Sequence, residues 1–144
     1  MSGVDPSGVA LERARAAHPD VAFHLGLADG GLPFDDGSFD LVVCLDVLQH
    51  VADTQRLLSE TRRVLAPRGV LGLSVPYHGR LKNVLIALGA FERHHDPLEP
   101  VLRFYTARSL RSLLTRLGFE RIVTRGSGGA PLLRRHLLAL ARRG

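Results

Sequence analysis

Leu41-Val42-Val43-Cys44-Leu45 is the stretch on which the fold turns, five consecutive apolar residues that stop at Asp46. A run this short, rich in β-branched residues and free of polar interruption, has the pattern of a parallel strand covered on both faces. It is therefore expected at the centre of a sheet. The next segment reads as helix: Asp53 is placed to cap an N-terminus, and Leu57, Leu58, Thr61, Val64 and Leu65 recur on one side before Pro67 and Gly69. Val70 to Val75 is a second apolar strand, closed by Pro76.

Toward the start, Val4 ends a strand and Asp5-Pro6-Ser7-Gly8 is a turn. Val9, Ala10, Arg13, Ala14 and Ala17 then recur at helical spacing, up to His18-Pro19, where the residue before proline is pushed out of the helical region. Val21 to Leu25 reads as a short strand, and Ala28 to Phe39, rich in Gly and Asp, as a loop. Toward the end, a helix is expected from Arg80 to Gly89 and a polar loop around Glu92, His94, His95, Asp96 and Pro97. Thr106 caps a further helix with a stripe of Leu110, Leu113, Leu114 and Leu117, and Gly118 stands where a left-handed residue belongs. Phe119 to Arg125 is a strand and Ser127 to Pro131 a turn; Leu137 to Ala141 fits a strand or a short helix equally. Strands alternating with helices give an α/β fold: an open, mostly parallel, Rossmann-like sheet with a C-terminal antiparallel hairpin, in one domain over residues 1–144.

The 144 residues are 45% hydrophobic and 23% charged, ordinary for a globular domain. No apolar run approaches a bilayer span, and Met1 to Asp5 lacks the basic start and apolar stretch of a secretory signal, so no membrane is expected and the cytoplasm is the expected compartment. Cys44, the single cysteine, has no disulfide partner and reads as a small buried hydrophobe. The net charge of +5 rests on arginine, Lys82 being the only lysine. Arg134-Arg135 and Arg142-Arg143 could touch phosphates. No nucleic-acid motif accompanies them, so a solvated surface is the favoured reading and nucleic acid is not an expected partner.

Ligands of open α/β sheets bind beyond the carboxyl ends of the strands. Three acids stand there: Asp5, Asp29 and Asp46. A carboxylate at such a place suits the two hydroxyls of a ribose, whereas Asp-Pro-Ser-Gly is also good turn chemistry that needs no ligand. From the residues alone both readings of Asp5 stand, with the turn favoured.

Four ordered segments change that weighting. Gly3 to Ser7, Leu32-Pro33-Phe34-Asp35-Asp36-Gly37-Ser38-Phe39-Asp40-Leu41-Val42-Val43, Val47-Leu48-Gln49-His50-Val51 and Arg63 to Gly69 together resemble the class I S-adenosylmethionine-dependent methyltransferases, in the branch with small-molecule and quinone-pathway enzymes. Pro76-Tyr77-His78-Gly79, Arg103-Phe104-Tyr105-Thr106 and Gly118-Phe119 resemble a bacterial subgroup of them. The resemblance implies S-adenosylmethionine as cofactor and a small-molecule methyl acceptor. It puts the ribose on Asp5, with Pro6 and Ser7 beside it; the adenine near Asp29 and Gly30; and the methionine portion over Leu45 and Asp46. His50 would face the acceptor, and His50, His78 and His95 are candidates for a base, since imidazole titrates near neutrality; each is also readable as a surface or capping histidine. No metal ligand is assigned.

The same resemblance implies a first strand and a glycine-rich loop ahead of Gly3, which are expected to be missing here. Their absence is expected either to force the strands of Asp5 and Cys44 to close the gap or to leave unpaired edges on them, where a protein partner or a second copy could dock. Arg68 takes the place of a glycine in the usual Pro-Gly-Gly turn, and Val101 that of a frequent histidine. Methyl transfer is thus the expected function. An inactive remnant or partner-completed module and a nicotinamide-dependent oxidoreductase are the alternatives.

Overall fold

The computed structural model describes residues 1–28, 30–77, 79–89, 101–129 and 134–144. Strand β1 (Ser2–Asp5) leads into helix α1 (Gly8–Ala17) and strand β2 (Ala22–Leu25). Then come β3 (Phe39–Leu45), α2 (Thr54–Val64), β4 (Leu65–Pro76), α3 (Arg80–Gly89), α4 (Ala107–Arg116), β5 (Phe119–Ser127) and β6 (His136–Arg143). β1 and β2 pair in parallel as a sheet of their own. The larger sheet runs β3-β4-β6-β5, with β3 parallel to β4 and β6 antiparallel to both neighbours. The mixed sheet with its C-terminal hairpin is the expected α/β architecture, and Leu137 to Ala141 resolves as strand.

The helix boundaries obey local chemistry. Ser7 caps α1 by accepting from the Ala10 N–H, and Asp53 caps α2 by accepting from the Arg56 N–H. Thr106 and Ser109 cap α4 reciprocally. Each such cap satisfies backbone donors that a helix leaves open. Gly118, at φ 80, ends α4 in the left-handed region. The α2 stripe is buried as expected, through Leu57, Leu58, Thr61 and Val64. With Leu110 and Leu114 of α4 it covers Leu71, Leu73 and Val75 of β4 and Leu137, Ala139 and Ala141 of β6. Each fully buried leucine in that layer contributes about 1.5–3 kcal/mol.

The opposite face of the larger sheet is exposed over most of its apolar side chains among the described residues, although Gly72 and Ser74 of β4 are buried there. Val43, Gly72, Leu140 and Val123 stand in one cross-strand row, and Leu45, Ser74 and Leu138 in the next. Val43, Leu45, Leu138, Leu140 and Val123 of these rows are exposed, as is Leu41. This corrects the reading of residues 41–45 as a central strand covered on both faces. β3 is an edge strand; Cys44 and the half-buried Val42 face the core while Leu41, Val43 and Leu45 point outward. An apolar run shows that both faces are compatible with burial, not that something covers them. The strands of Asp5 and Cys44 fall in different sheets, and β1 and β3 do not pair.

Helix α1 requires a second correction. Its residue against the small sheet is Leu11, with Ala14 half-buried, while Val9 on the expected stripe is exposed. Two boundaries shift as well. β4 begins at Leu65, with no connecting residue after α2, and runs through Pro67 and Gly69. Arg68, in the glycine place, takes φ 67, a strain of about 1 kcal/mol for a residue with a side chain.

Candidate functional site

At the carboxyl end of β3 stands Asp46, a candidate ligand residue held in a constrained conformation. Asp46 adopts φ 51, a left-handed conformation that Asp tolerates better than most residues. Three hydrogen bonds hold it there. Its N–H donates to the Ser74 carbonyl and to Ser74 Oγ, each at 3.1 Å, and its carbonyl accepts from Gln49 Nε2 at 2.9 Å. The carboxylate is half-exposed, with Oδ1 at 3.8 Å from His136 Nδ1 at the start of β6. Asp46 and burial act together on Cys44: burial first, then the neighbouring carboxylate, push its thiol up to about 11.

Beyond Asp46 the chain makes a turn closed by the His50 N–H on the Val47 carbonyl at 2.9 Å. Gln49 is buried at 2% exposure, its Nε2 standing 3.2 Å from His50 Nε2, and its Oε1 has no hydrogen-bond partner among the described residues. Residues 102–105 clamp this turn from outside. The Leu102 N–H donates to the Gln49 carbonyl, and the Arg103 guanidinium donates to the carbonyls of Val51 and Ala52. Tyr105 Oη reaches the Leu48 carbonyl and Thr54 Oγ1 at 3.5 and 3.4 Å. Two segments quoted separately from the sequence, 47–51 and 103–106, are thus one structure, with Arg103 satisfying carbonyls that precede a helix.

On the small sheet, Asp5 closes β1. Its Oδ1 accepts from the Ser7 N–H at 2.8 Å, and Ser7 Oγ in turn caps α1. The turn chemistry is therefore real, and it uses one carboxylate oxygen; the other accepts nothing among the described residues. That half-exposed oxygen at a strand's carboxyl end fits a diol donor. Asp46 and Asp5 are not joined by a hydrogen bond or ion pair. Gly30 lies in a turn, its N–H donating to the Leu27 carbonyl and its carbonyl accepting from Arg56. Leu45 is exposed at the end of β3. Asp29, His78 and His95 lie outside the described residues.

A second constellation supports the loop before β3. Arg63 of α2 donates to both oxygens of Glu60, to Asp36 Oδ1 and to the carbonyls of Leu32 and Phe34, all within 2.7–2.9 Å. Glu60 Oε2 also accepts from the Leu32 N–H. The Arg63 side chain first, and then that N–H, hold the Glu60 carboxyl down at about 2. Phe34 stands edge-on between His24 of β2 and Phe39 of β3, at ring distances of 5.1 and 4.9 Å. The Leu-Pro-Phe segment is thus both anchored to α2 and lodged between the two sheets.

Sequence reasoning gave no role to His136, Ser74 or the Glu60–Arg63 pair. His136 meets Asp46 only through the β4–β6 pairing, and nothing local announces it. The spacing of Glu60 and Arg63 is visible on a helix, but the carbonyls they serve are not.

A Rossmann-like sheet with acids at its strand ends belongs to the open α/β class, in which ligands bind beyond the carboxyl ends of the strands. The comparisons narrow it. The family model described as a methyltransferase domain matches residues 1–73. A protein of Mycolicibacterium smegmatis named as a probable S-adenosylmethionine-dependent methyltransferase is 34% identical over 140 residues, which cover 93% of this chain and 50% of that relative. An S-adenosylmethionine-dependent methyltransferase from Methanosarcina mazei superposes with a TM-score of 0.76 at 20% identity, covering 99% of this chain and 81% of that one. The methyltransferase bound to the Haloferax volcanii Trm112 activator gives 0.75 at 21% identity, covering 98% and 70%. The chain belongs to the methyltransferase domain family, and S-adenosylmethionine is the cosubstrate which that membership implies. It spans half the length of its Mycolicibacterium relative. No described helix is long and apolar enough to cross a membrane.

Proposed function

We propose that this chain forms the greater part of one domain that transfers a methyl group from S-adenosylmethionine to a small-molecule acceptor in the cytoplasm. Asp46 carries the reading: a left-handed aspartate at a strand end, clamped by Ser74 and Gln49 in a chain of this family, has the build of a ligand-side turn. The bound donor supplies an activated methyl group, so the residues contribute mainly position. The free oxygen of Asp5 accepts from the ribose, with Pro6 and Ser7 fixing its turn. Asp29 and Gly30 would contact the adenine, and Leu45 and Asp46 the methionine portion. His50 or His78 takes the acceptor's proton. The family match removes the support for a nicotinamide-dependent oxidoreductase.

Calorimetric titration of the chain with S-adenosylmethionine tests this. Binding is expected, weakened about tenfold or more by Asp5→Asn, since a lost charge-assisted hydrogen bond is worth about 1.5–3 kcal/mol. No heat and no thermal shift at millimolar ligand would overturn the proposal.

The outer edge of β3, unpaired among the described residues, favours a second reading, in which a partner or a second copy completes the sheet. The Haloferax neighbour is itself seen with an activator. Light scattering at rising concentration tests self-association: a monomer throughout excludes a second copy.

A further inference from the structure

Away from this rim, at the other end of β4, the structure gathers a strongly basic cleft. It encloses about 290 Å³ and is lined by Arg68, Glu120, Arg121, Arg142 and Arg143. The sheet register explains the gathering. Arg142 of β6 is opposite both Val70 of β4 and Glu120 of β5, Arg143 is opposite Phe119, and Arg68 enters from the start of β4. Arg68 and Ser74, which holds Asp46, are separated by about 20 Å of extended strand.

Two features single the cleft out from an ordinary solvated surface. The first is charge. Four arginines and one glutamate line it, and among the described residues none of the five forms an ion pair; even Glu120 and Arg142, directly opposed on paired strands, do not. Like charges this close repel unless an anion joins them. The second is backbone. Arg68 at φ 67 and Arg121 at φ 48, in the β-bulge between Glu120 and Val123, are two of the three non-glycine residues described with positive φ. Glycine would sit at either place without strain, and both are arginines of this cleft. Arg143 is fixed by donating to the carbonyls of Arg63 and Leu65, so one wall is rigid.

We propose that this cleft binds a small diphosphate-bearing anion, at a site separate from the methyl-donor rim. Guanidinium forks match phosphate oxygens in pairs. A net local charge of three positive units suits two linked phosphate groups, which carry about three negative charges at neutral pH.

The experiment is calorimetric titration of the full chain with inorganic pyrophosphate, beside the Arg68→Gly/Arg121→Gly double variant and Glu120→Gln. Binding near or below about 1 mM is expected. The double variant should weaken it by about tenfold or more while its Tm stays level or rises, because glycine relieves both strained positions. Loss of affinity then cannot be ascribed to unfolding. Glu120→Gln should tighten binding. Absence of heat at about 5 mM pyrophosphate, or equal binding by the double variant, overturns the proposal. So does tighter binding of a single-stranded decanucleotide through the same arginines, which would make the cleft a nucleic-acid site.

Discussion

Replacing Arg63 by methionine keeps most of the side chain's apolar length and removes five hydrogen bonds: two to Glu60, one to Asp36 and one each to the carbonyls of Leu32 and Phe34. A hydrogen bond to a charged group is worth about 1.5–3 kcal/mol. These bonds share partners and do not add. The Arg63 and Asp36 side chains are 30% and 78% exposed, so solvent screens the Asp36 pair nearly to nothing. What remains is the Glu60 pair and the two carbonyls, and the expected loss is about 2–3 kcal/mol, or about 6–9 °C in Tm for a domain of this size. Urea unfolding followed by circular dichroism reads it directly. The same pair of proteins has a pH signature. The Glu60 carboxyl titrates at about 2 in the folded chain, below about 4.3 when unfolded. Its stabilisation is therefore complete above the unfolded value and is lost as pH falls through the folded one. The gap between wild type and variant should be full at neutral pH and narrow on acidification toward about pH 2. A gap under about 0.5 kcal/mol at neutral pH, within the range of an ordinary surface substitution, would refute the clamp.

Other consequences can be checked with the same preparations. Arg68→Gly should stabilise the chain by about 1 kcal/mol by releasing its left-handed strain, and an unchanged urea midpoint would contradict that. Cys44, with its thiol pushed up to about 11, should resist a thiol reagent at about pH 8 until the chain is unfolded. Leu114→Ala, emptying a fully buried position in the core, should cost about 2–5 kcal/mol by chemical denaturation. Val43→Lys, on the bare face, should change stability by less than about 0.5 kcal/mol and reduce self-association in light scattering.

Much of the fold was legible because its signals are local. Asp53, Thr106 and Gly118 mark helix ends through bonds made within a few residues, and α3 runs from Arg80 to Gly89 as read. Coverage is not local. The run 41–45 is equally apolar whether one face or two are buried, and Val9 and Leu11 offer α1 comparable anchors until the small sheet chooses between them. Site residues divide the same way. Asp5 and Asp46 stand at strand ends, as strand prediction alone places them. His136 joins Asp46 from 90 positions away, by a pairing that required deciding that 137–141 is strand, and periodicity could not.

The placement of β6 between β4 and β5, although it comes after both in sequence, sets the order in which the protein can be completed during translation. The 60 residues from Pro76 to His136 take about 3–12 s to synthesise at about 5–20 residues per second. Through that interval β4 emerges from the ribosome with one edge unmatched and Leu71, Leu73 and Val75 unable to reach their final packing. A nascent chain paused before His136 has β3 paired with β4 but no strand to join β5 to them. Knitting the latest strand into the middle makes its arrival the moment at which the whole layer locks.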